Sequence, residues 1–459
     1  MKGTIVIIGA SFAGISCALE AANLYPESHI ILIEKEKTIG FIPSGLNLTL
    51  SHKVTSLDNA RFISADLLRE RNIDLRLETM VTKVDVKKRE LSTECRGIKQ
   101  RLLYDKLVLA MGSHQGSHQI EGANHPLVVS TKTYEDSLET LKIVHQSQRI
   151  VVVGGGQIGL EAAQTYQNLG KDVTLIEALP SLAFKYFDEE MIAPVQKAMT
   201  QQGVQVITNR SVVSIKDNLD QSTVPLVIET SNQETIEADM VLLGVNLRPN
   251  SHLVKGILDR DVDNTIRVDD YLRTSDPHVF AIGDLIRLPY GLDQEKYYLP
   301  LVNHALITGQ MAAINLFKPQ APYKKSTRSM GTSLFGYYMA SVGLTQVEAE
   351  TWGPVHSTIF VGRGMEMVSA ENTESITIKL ITSINTGQIL GAQLYSKAPI
   401  FHVSDILSLA ISAGYSDQDL ALQERAYVAG FTDLQGAIYQ AAMHSFEGRL
   451  AQRSDAHVD

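Results

Sequence analysis

The sequence predicts an α/β protein of three parts: two domains built on parallel sheets and a C-terminal α+β domain. Three observations carry this. An apolar strand, a glycine-rich turn and a helix open the chain, and the same order returns at Ile150. Each unit later contains a further apolar strand that ends in glycine. From about residue 330 the pattern changes character, with strands preceding a helix in a separate α+β arrangement.

In chain order, strand Thr4–Ile8, a glycine turn, helix Ala13–Leu24 and strand His29–Glu34 make the first βαβ unit. Strand Ile150–Val153, a second turn, helix Ile158–Leu169 and strand Asp172–Glu177 make the other. Short, continuously apolar strands alternating with helices belong to parallel sheets covered on both faces. Leu102–Gly112 reads as one strand ending in a glycine turn, and Ala238–Gly244 is its counterpart. Another strand ends at Gly283-Asp284. The simplest parse is a first domain of residues 1–115 and 247–325, interrupted by a second of 116–246. Residues 326–459 form the third, with strands Ser375–Thr382 and Ile389–Ser396 before a helix near Ser404–Ala413. The polar tail Ala451–Asp459 is expected to fray.

With 459 residues, two or three domains are expected, and 44% hydrophobic residues are enough for large cores. A net charge of −10 argues against nucleic acid, and no apolar run is long enough to span a membrane. The run Thr4–Ala18 behind Lys2 imitates a signal peptide, but it contains a glycine turn and leads straight into a helix and strand. A cytoplasmic location is expected. Cys17 and Cys95 match neither a redox pair nor a zinc site. Cys17 falls on the sheet-facing side of the first helix, as a buried inert thiol. Cys95 lies in a polar hairpin without catalytic context. No metal site is expected.

The two turns carry the chemistry. In Gly9-Ala10-Ser11-Phe12-Ala13-Gly14, Gly9 permits the tight turn and small Ser11 lets backbone approach a pyrophosphate. Gly14 lets helix and strand pack closely. The helix N-terminus offers N–H groups to phosphate, and Glu34, ending the next strand, is placed for ribose hydroxyls. A tight turn without a ligand is the alternative, which the surrounding strand, helix and acid oppose. The second turn, Gly154-Gly155-Gly156-Gln157-Ile158-Gly159, keeps its middle glycine. Its acid, Glu177, would repel a 2′-phosphate, favouring NADH over NADPH. Two dinucleotide sites suggest a resident flavin and an exchangeable nicotinamide. The Gly283-Asp284 end of Thr274–Asp284 supports this, although alone it would be a plain turn.

The chain resembles the two-dinucleotide-binding-domain flavoproteins of the pyridine nucleotide-disulfide oxidoreductase superfamily, in the NADH oxidase, NADH peroxidase and coenzyme A-disulfide reductase branch. The matching segments include Gly9–Gly14, Glu34-Lys35, Tyr104–Ser113, Gly154–Gly159 with Glu161, Gly244–Asn250, Asp276–Asp284, Leu299–Gly309 and Leu390–Leu394, nearly the whole chain. The resemblance implies FAD in the first Rossmann-like domain, NADH in the second, and a C-terminal domain that forms a homodimer. Carried over by position, it places Gly9, Ser11, Gly14, Glu34, Lys35, Val81 and Asp284 at FAD, with Pro300 and Leu301 near the flavin ring. It places Gly156, Ile158, Glu161, Glu177 and Gly244 around NADH. For Glu161, a helix N-terminal carboxylate is the plainer alternative.

The departures from that family decide the reading of function. Ser44 in Gly40–Leu46 stands where these relatives carry a redox cysteine. Phe12 replaces a histidine of the first glycine loop, Met111 replaces a threonine, and Gln157 stands where an aromatic often shields the flavin. The family's proline-rich C-terminal segment appears as Ala426–Thr432 without prolines. A serine hydroxyl cannot cycle through a sulfenate. Losing thiol and imidazole removes the routes to water and to peroxide reduction, and a disulfide substrate would lack its attacking thiolate. The expectation is hydride transfer from NADH through FAD to a small electron acceptor: an activated alkene such as a vinyl phenol, or a quinone. Phe12 and Ser44 would leave an apolar pocket over the ring. Ser44, Tyr427 and Tyr338 are candidate proton donors, each tyrosine having an ordinary packing role as its alternative. The rival readings are a hydrogen-peroxide-forming NADH oxidase, a redox-sensing or low-turnover flavoprotein, and a thiol enzyme whose cysteine was changed to serine.

Overall fold

The computed structural model describes residues 2–116, 120–219, 224–245, 247–293, 295–363, 374–426 and 436–455. Its first sheet has five parallel strands in the order Val279–Ala281, Lys106–Leu109, Thr4–Ile8, His29–Ile33, Ile73–Arg76. The second repeats the design with Met240–Leu243, Arg149–Val153, Asp172–Ile176 and Gln205–Ile207, plus Val128–Val129 at the edge. Strands Thr4–Ile8 and Arg149–Val153 are almost wholly buried, as strands covered on both faces must be. Each unit also carries a three-stranded antiparallel ribbon, residues 79–103 in the first and 212–238 in the second. Ser113–Gln115 pairs antiparallel with Leu247–Pro249 where the chain crosses between units.

Two strands expected to be continuous are each broken in two. Leu102–Gly112 divides into Ile98–Leu103, the last ribbon strand, and Lys106–Leu109 in the parallel sheet. Ala238–Gly244 likewise falls partly in the ribbon strand Thr235–Ala238 and partly in Met240–Leu243. The break is where the chain leaves the ribbon for the sheet, and an aspartate marks it each time. Asp105 Oδ2 accepts the Thr4 N–H at 2.7 Å, and Asp239 Oδ2 accepts the Gln148 and Arg149 N–H groups at 2.8 and 2.7 Å. The helices begin one residue before expectation, at Phe12 and Gln157.

The third domain is a five-stranded antiparallel sheet ordered Met330–Leu334, Tyr337–Gly343, Ile389–Ser396, Ser375–Ser383, Val355–Arg363. Helices Phe401–Ala413 and Ala437–Asp455 cover it. Among the described residues, no helix is long and apolar enough to cross a membrane.

One buried cluster runs across all three parts. Phe41, Leu46, Leu50, Leu57 and Ala60, all from the first glycine-turn unit, are buried in one cluster with Val152, Leu160, Ala163 and Tyr166 of the second. Met330, Leu334 and Met339 of the third domain join the same cluster. A charged tie reinforces the seam. Lys379, 1% exposed, reaches Asp188 Oδ2 at 2.8 Å and also Glu190, while Gln393 Nε2 donates to Asp188 at 2.6 Å. The first unit is closed by helix Val302–Asn315 lying on helix Phe12–Leu24. Ser16 Oγ donates to the Leu306 carbonyl at 2.8 Å, and Tyr25 Oη to that of Ala313 at 3.1 Å.

Gly309 makes that approach possible: a Cβ there would stand 2.4 Å from the Ala13 carbonyl oxygen and 2.9 Å from Ser16 Cβ. Gly309→Val should therefore lower stability by roughly 1–3 kcal/mol, the usual cost of overpacking. Thermal unfolding of the variant checks this, and an unchanged midpoint would show that the helices can part without penalty.

Candidate active site

Both glycine turns have one geometry. Gly9 and Gly154 take φ of +107° and +105°, a region that favours glycine. A Cβ on Gly14 would stand 1.8 Å from the Gly9 carbonyl oxygen, and one on Gly159 would stand 1.9 Å from that of Gly154. Both helices therefore start hard against the preceding turn. Their N-cap residues, Ser11 and Gly156, supply no side-chain capping bond, so the first-turn N–H groups face outward without a side-chain acceptor. Beside Gly156 nothing lies within 4 Å of where a Cβ would stand. An open cradle under free N–H groups fits a pyrophosphate.

The two acids act as struts. Glu34 accepts the Ala10 N–H at 2.7 Å and the Glu36 N–H at 3.1 Å, tying the turn to the next loop. Burial pushes its carboxyl above the ordinary value, against the pull of these N–H groups. Glu177 accepts from Gly155 N–H at 2.6 Å and Leu179 N–H at 2.7 Å. Their ribose-facing capacity is what these bonds leave over. Lys35 is exposed and pairs with Glu36 at 3.1 Å. Val81 is half-buried at a bulge in its ribbon, packed on the first core near the Glu34 carbonyl, which accepts the Thr79 N–H at 2.9 Å. Gly244 stands between two strand ends, its N–H on the Val153 carbonyl at 2.7 Å. Ile158 is half-buried on the opening turn of its helix.

Asp284 gathers residues that no local motif revealed. Its Oδ2 accepts the Ser113 hydroxyl at 2.6 Å and faces Lys132 Nζ at 3.4 Å, while its carbonyl accepts the Tyr298 hydroxyl at 3.2 Å. Burial lowers the Lys132 pKa, and Asp284 opposes that. Pro300 and Leu301 are half-buried, Leu301 capping helix Val302–Asn315. His304, 4% exposed, holds this segment: its Nδ1 is 3.0 Å from the Leu299 carbonyl oxygen and its Nε2 2.7 Å from Ser326 Oγ. The carbonyl requires a proton on Nδ1; burial lowers the ring's pKa, and in the neutral ring it favours, Nε2 accepts from Ser326. Lys132 and His304 were legible only as isolated residues; their partners are distant in sequence.

Ser44 caps the short helix Gly45–Leu50, and its side chain makes no capping bond. The loop before it is tied to the first glycine turn: Gly40 N–H donates to the Ala10 carbonyl at 3.2 Å. Phe12 stacks on Phe62 with centroids 4.3 Å apart and planes 8° from parallel. Its ring is thus engaged in packing over the first core, not simply left as a wall over an empty pocket. Neither cysteine compensates for Ser44. Cys17 is wholly buried, with burial pushing its thiol up to about 12, and Cys95 ends a ribbon strand. Tyr338 packs edge-on to Phe401 in the third domain's core, the plainer role foreseen for it. Tyr427 lies outside the described residues. Glu161 accepts from Gln157 Nε2 at 3.0 Å and from Thr332 Oγ1 at 2.9 Å, so this helix carboxylate is linked to the third domain.

The comparisons agree with this architecture. The pyridine nucleotide-disulphide oxidoreductase model matches residues 3–309, and that family's dimerisation domain matches 331–427. The chain belongs to this family. An NADH oxidase of Enterococcus faecalis is 29% identical over 423 residues, 92% of this chain and 94% of that protein. The water-forming NADH oxidase of Lactobacillus brevis, solved with NADH, superposes with TM-score 0.91 at 26% identity, covering 98% and 99% of the two chains. A pyridine nucleotide-disulfide family oxidoreductase from Enterococcus faecalis is 33% identical at TM-score 0.85, with the same coverage. Family membership and the paired turns make this protein an FAD-dependent oxidoreductase that uses NADH.

The His304 arrangement has a pH consequence. Burial holds its pKa below the ordinary 6.5. As pH falls below that value, the unfolded chain takes up a proton that the folded site resists, so stability declines. His304→Asn should flatten the drop in melting temperature between pH 8 and pH 5.5. An unaltered slope would place the proton uptake elsewhere.

Proposed function

We propose that this protein passes reducing equivalents from NADH through FAD directly to a small organic acceptor, with no redox thiol between. The observation that carries this is Ser44 at the N-cap of Gly45–Leu50, behind a loop tied through Gly40 to the first glycine turn, with both cysteines accounted for elsewhere. When bound, FAD supplies two-electron chemistry, accepting a hydride and delivering it to an acceptor. The protein's residues bind and orient. Gly9, Ser11 and Gly14 shape the FAD phosphate cradle, with Glu34, Lys35 and Val81 toward its ribose and adenine end. Asp284, buttressed by Ser113 and Lys132, faces the ribityl side, and Pro300 and Leu301 border the ring. Gly156, Ile158, Glu161, Glu177 and Gly244 surround NADH, the Glu177 carboxylate disfavouring a 2′-phosphate. A thiolate relay is absent, so oxygen is not taken to water, and an acceptor such as a vinyl phenol or quinone must reach the ring itself. Ser44, whose hydroxyl makes no capping bond, is the proton donor of this proposal. The dimerisation domain implies a homodimer, and the setting is cytoplasmic.

A second reading, a peroxide-forming NADH oxidase, draws on the same Ser44 and on the NADH oxidase names of the relatives. NADH consumption in air with peroxide quantified separates the two. The first reading predicts slow turnover in air despite rapid anaerobic flavin reduction, and much faster turnover with an alkene or quinone. Turnover of about ten per second, with one peroxide per NADH, would establish the oxidase instead. A flavin that NADH fails to reduce would leave only a low-turnover or sensing role. Ser44→Cys, with Phe12 unchanged, should not gain peroxide reduction; if it does, the site is a disabled thiol enzyme.

A further inference from the structure

Gln157 occupies the first helical position after the second glycine turn. Its amide orientation is determined chemically. Glu161 Oε1 lies 3.0 Å from Gln157 Nε2, and a carboxylate can only accept, so the NH2 must face it. Glu161 is itself steadied by Thr332, a buried residue of the third domain, at 2.9 Å. Gln164, one turn further on, accepts the Phe335 N–H, fastening the same helix face to the same hairpin. The Gln157 side chain is therefore held at the seam of the domains. Its Oε1 points away from Glu161, and no hydrogen bond from a described residue engages it.

That free acceptor stands on the opening turn of the helix behind the second glycine turn. A dinucleotide with its adenine ribose at Glu177 and its phosphates over the open Gly156 cradle would continue past the opening turn of this helix. The seam lies on that side of the helix, where Glu161 and Gln164 bond to Thr332 and Phe335. We propose that Gln157 is a specificity-determining residue: its Oε1 accepts the carboxamide N–H of the nicotinamide, in an orientation set by Glu161 and Thr332. This rests on the reading of the second turn as the NADH site.

The test compares NAD+ with its 3-acetylpyridine analogue, in which a methyl replaces the carboxamide NH2. Binding of each to the FAD-loaded protein is measured by titration calorimetry. The wild type should prefer NAD+ about five- to tenfold, the worth of one hydrogen bond. Gln157→Leu should abolish that preference by weakening NAD+ alone, leaving the analogue within about twofold. Gln157→Met, which keeps the length, should behave likewise, and retained flavin absorbance and melting temperature certify the fold. A preference that survives both substitutions, or affinity lost equally for both compounds, overturns the proposal. A wild type that binds neither compound overturns the NADH site reading itself.

Discussion

The site depends on one steric constraint met twice. A turn at φ near +105° brings its carbonyl against the first turn of the following helix, at a distance only glycine tolerates, at Gly14 and at Gly159. This seats each helix N-terminus at the edge of its sheet with N–H groups uncapped by side chains. An acid at the end of the neighbouring strand then locks the turn by accepting its N–H, Glu34 in one unit and Glu177 in the other. The repetition extends to the antiparallel ribbons and to the aspartates that receive the central strand, Asp105 and Asp239. The two cofactor sites are thus physical copies, distinguished by what the third domain and the Ser44 loop bring to their seam.

On our proposal, that seam carries the function. The Ser44 helix buries Leu46 and Leu50 in a core shared with the second unit and with Met330 and Leu334 of the third. Its N-cap residue, Ser44, thus opens a helix anchored in a core that all three parts share, the rigidity that our proposal asks of a group beside a flavin. The scaffold for a redox cysteine is present, while the sulfur is not. The fold matches that of the Lactobacillus brevis NADH oxidase closely, and on our proposal the electron path ends at an acceptor that meets the flavin directly.

The sequence made the parallel-sheet units legible because their signals are local: apolar runs, glycine spacing, and an acid at the strand end. It misread Leu102–Gly112 as one strand because ribbon and sheet are both extended, and the break at Tyr104-Asp105 depends on a bond to Thr4, far away in sequence. Comparing Asp105 with Asp239 across the two units would have exposed it. Lys132, His304 and the Lys379–Asp188 pair left no pattern, since each derives its meaning from a partner in another segment. Tyr338, for which an ordinary packing role was the favoured alternative, meets Phe401 edge-on. Ser44 was visible as a departure only against the family's motif; its uncapped hydroxyl and its seat at the seam required the fold.

The central claim is that the flavin is the sole redox centre, and an anaerobic titration of the FAD-loaded protein with NADH tests it most directly. A flavin stores two electrons, and a cysteine sulfenate beside it would store two more. The account predicts full reduction with one NADH per FAD. Uptake of two NADH per FAD would reveal a second redox group and contradict it.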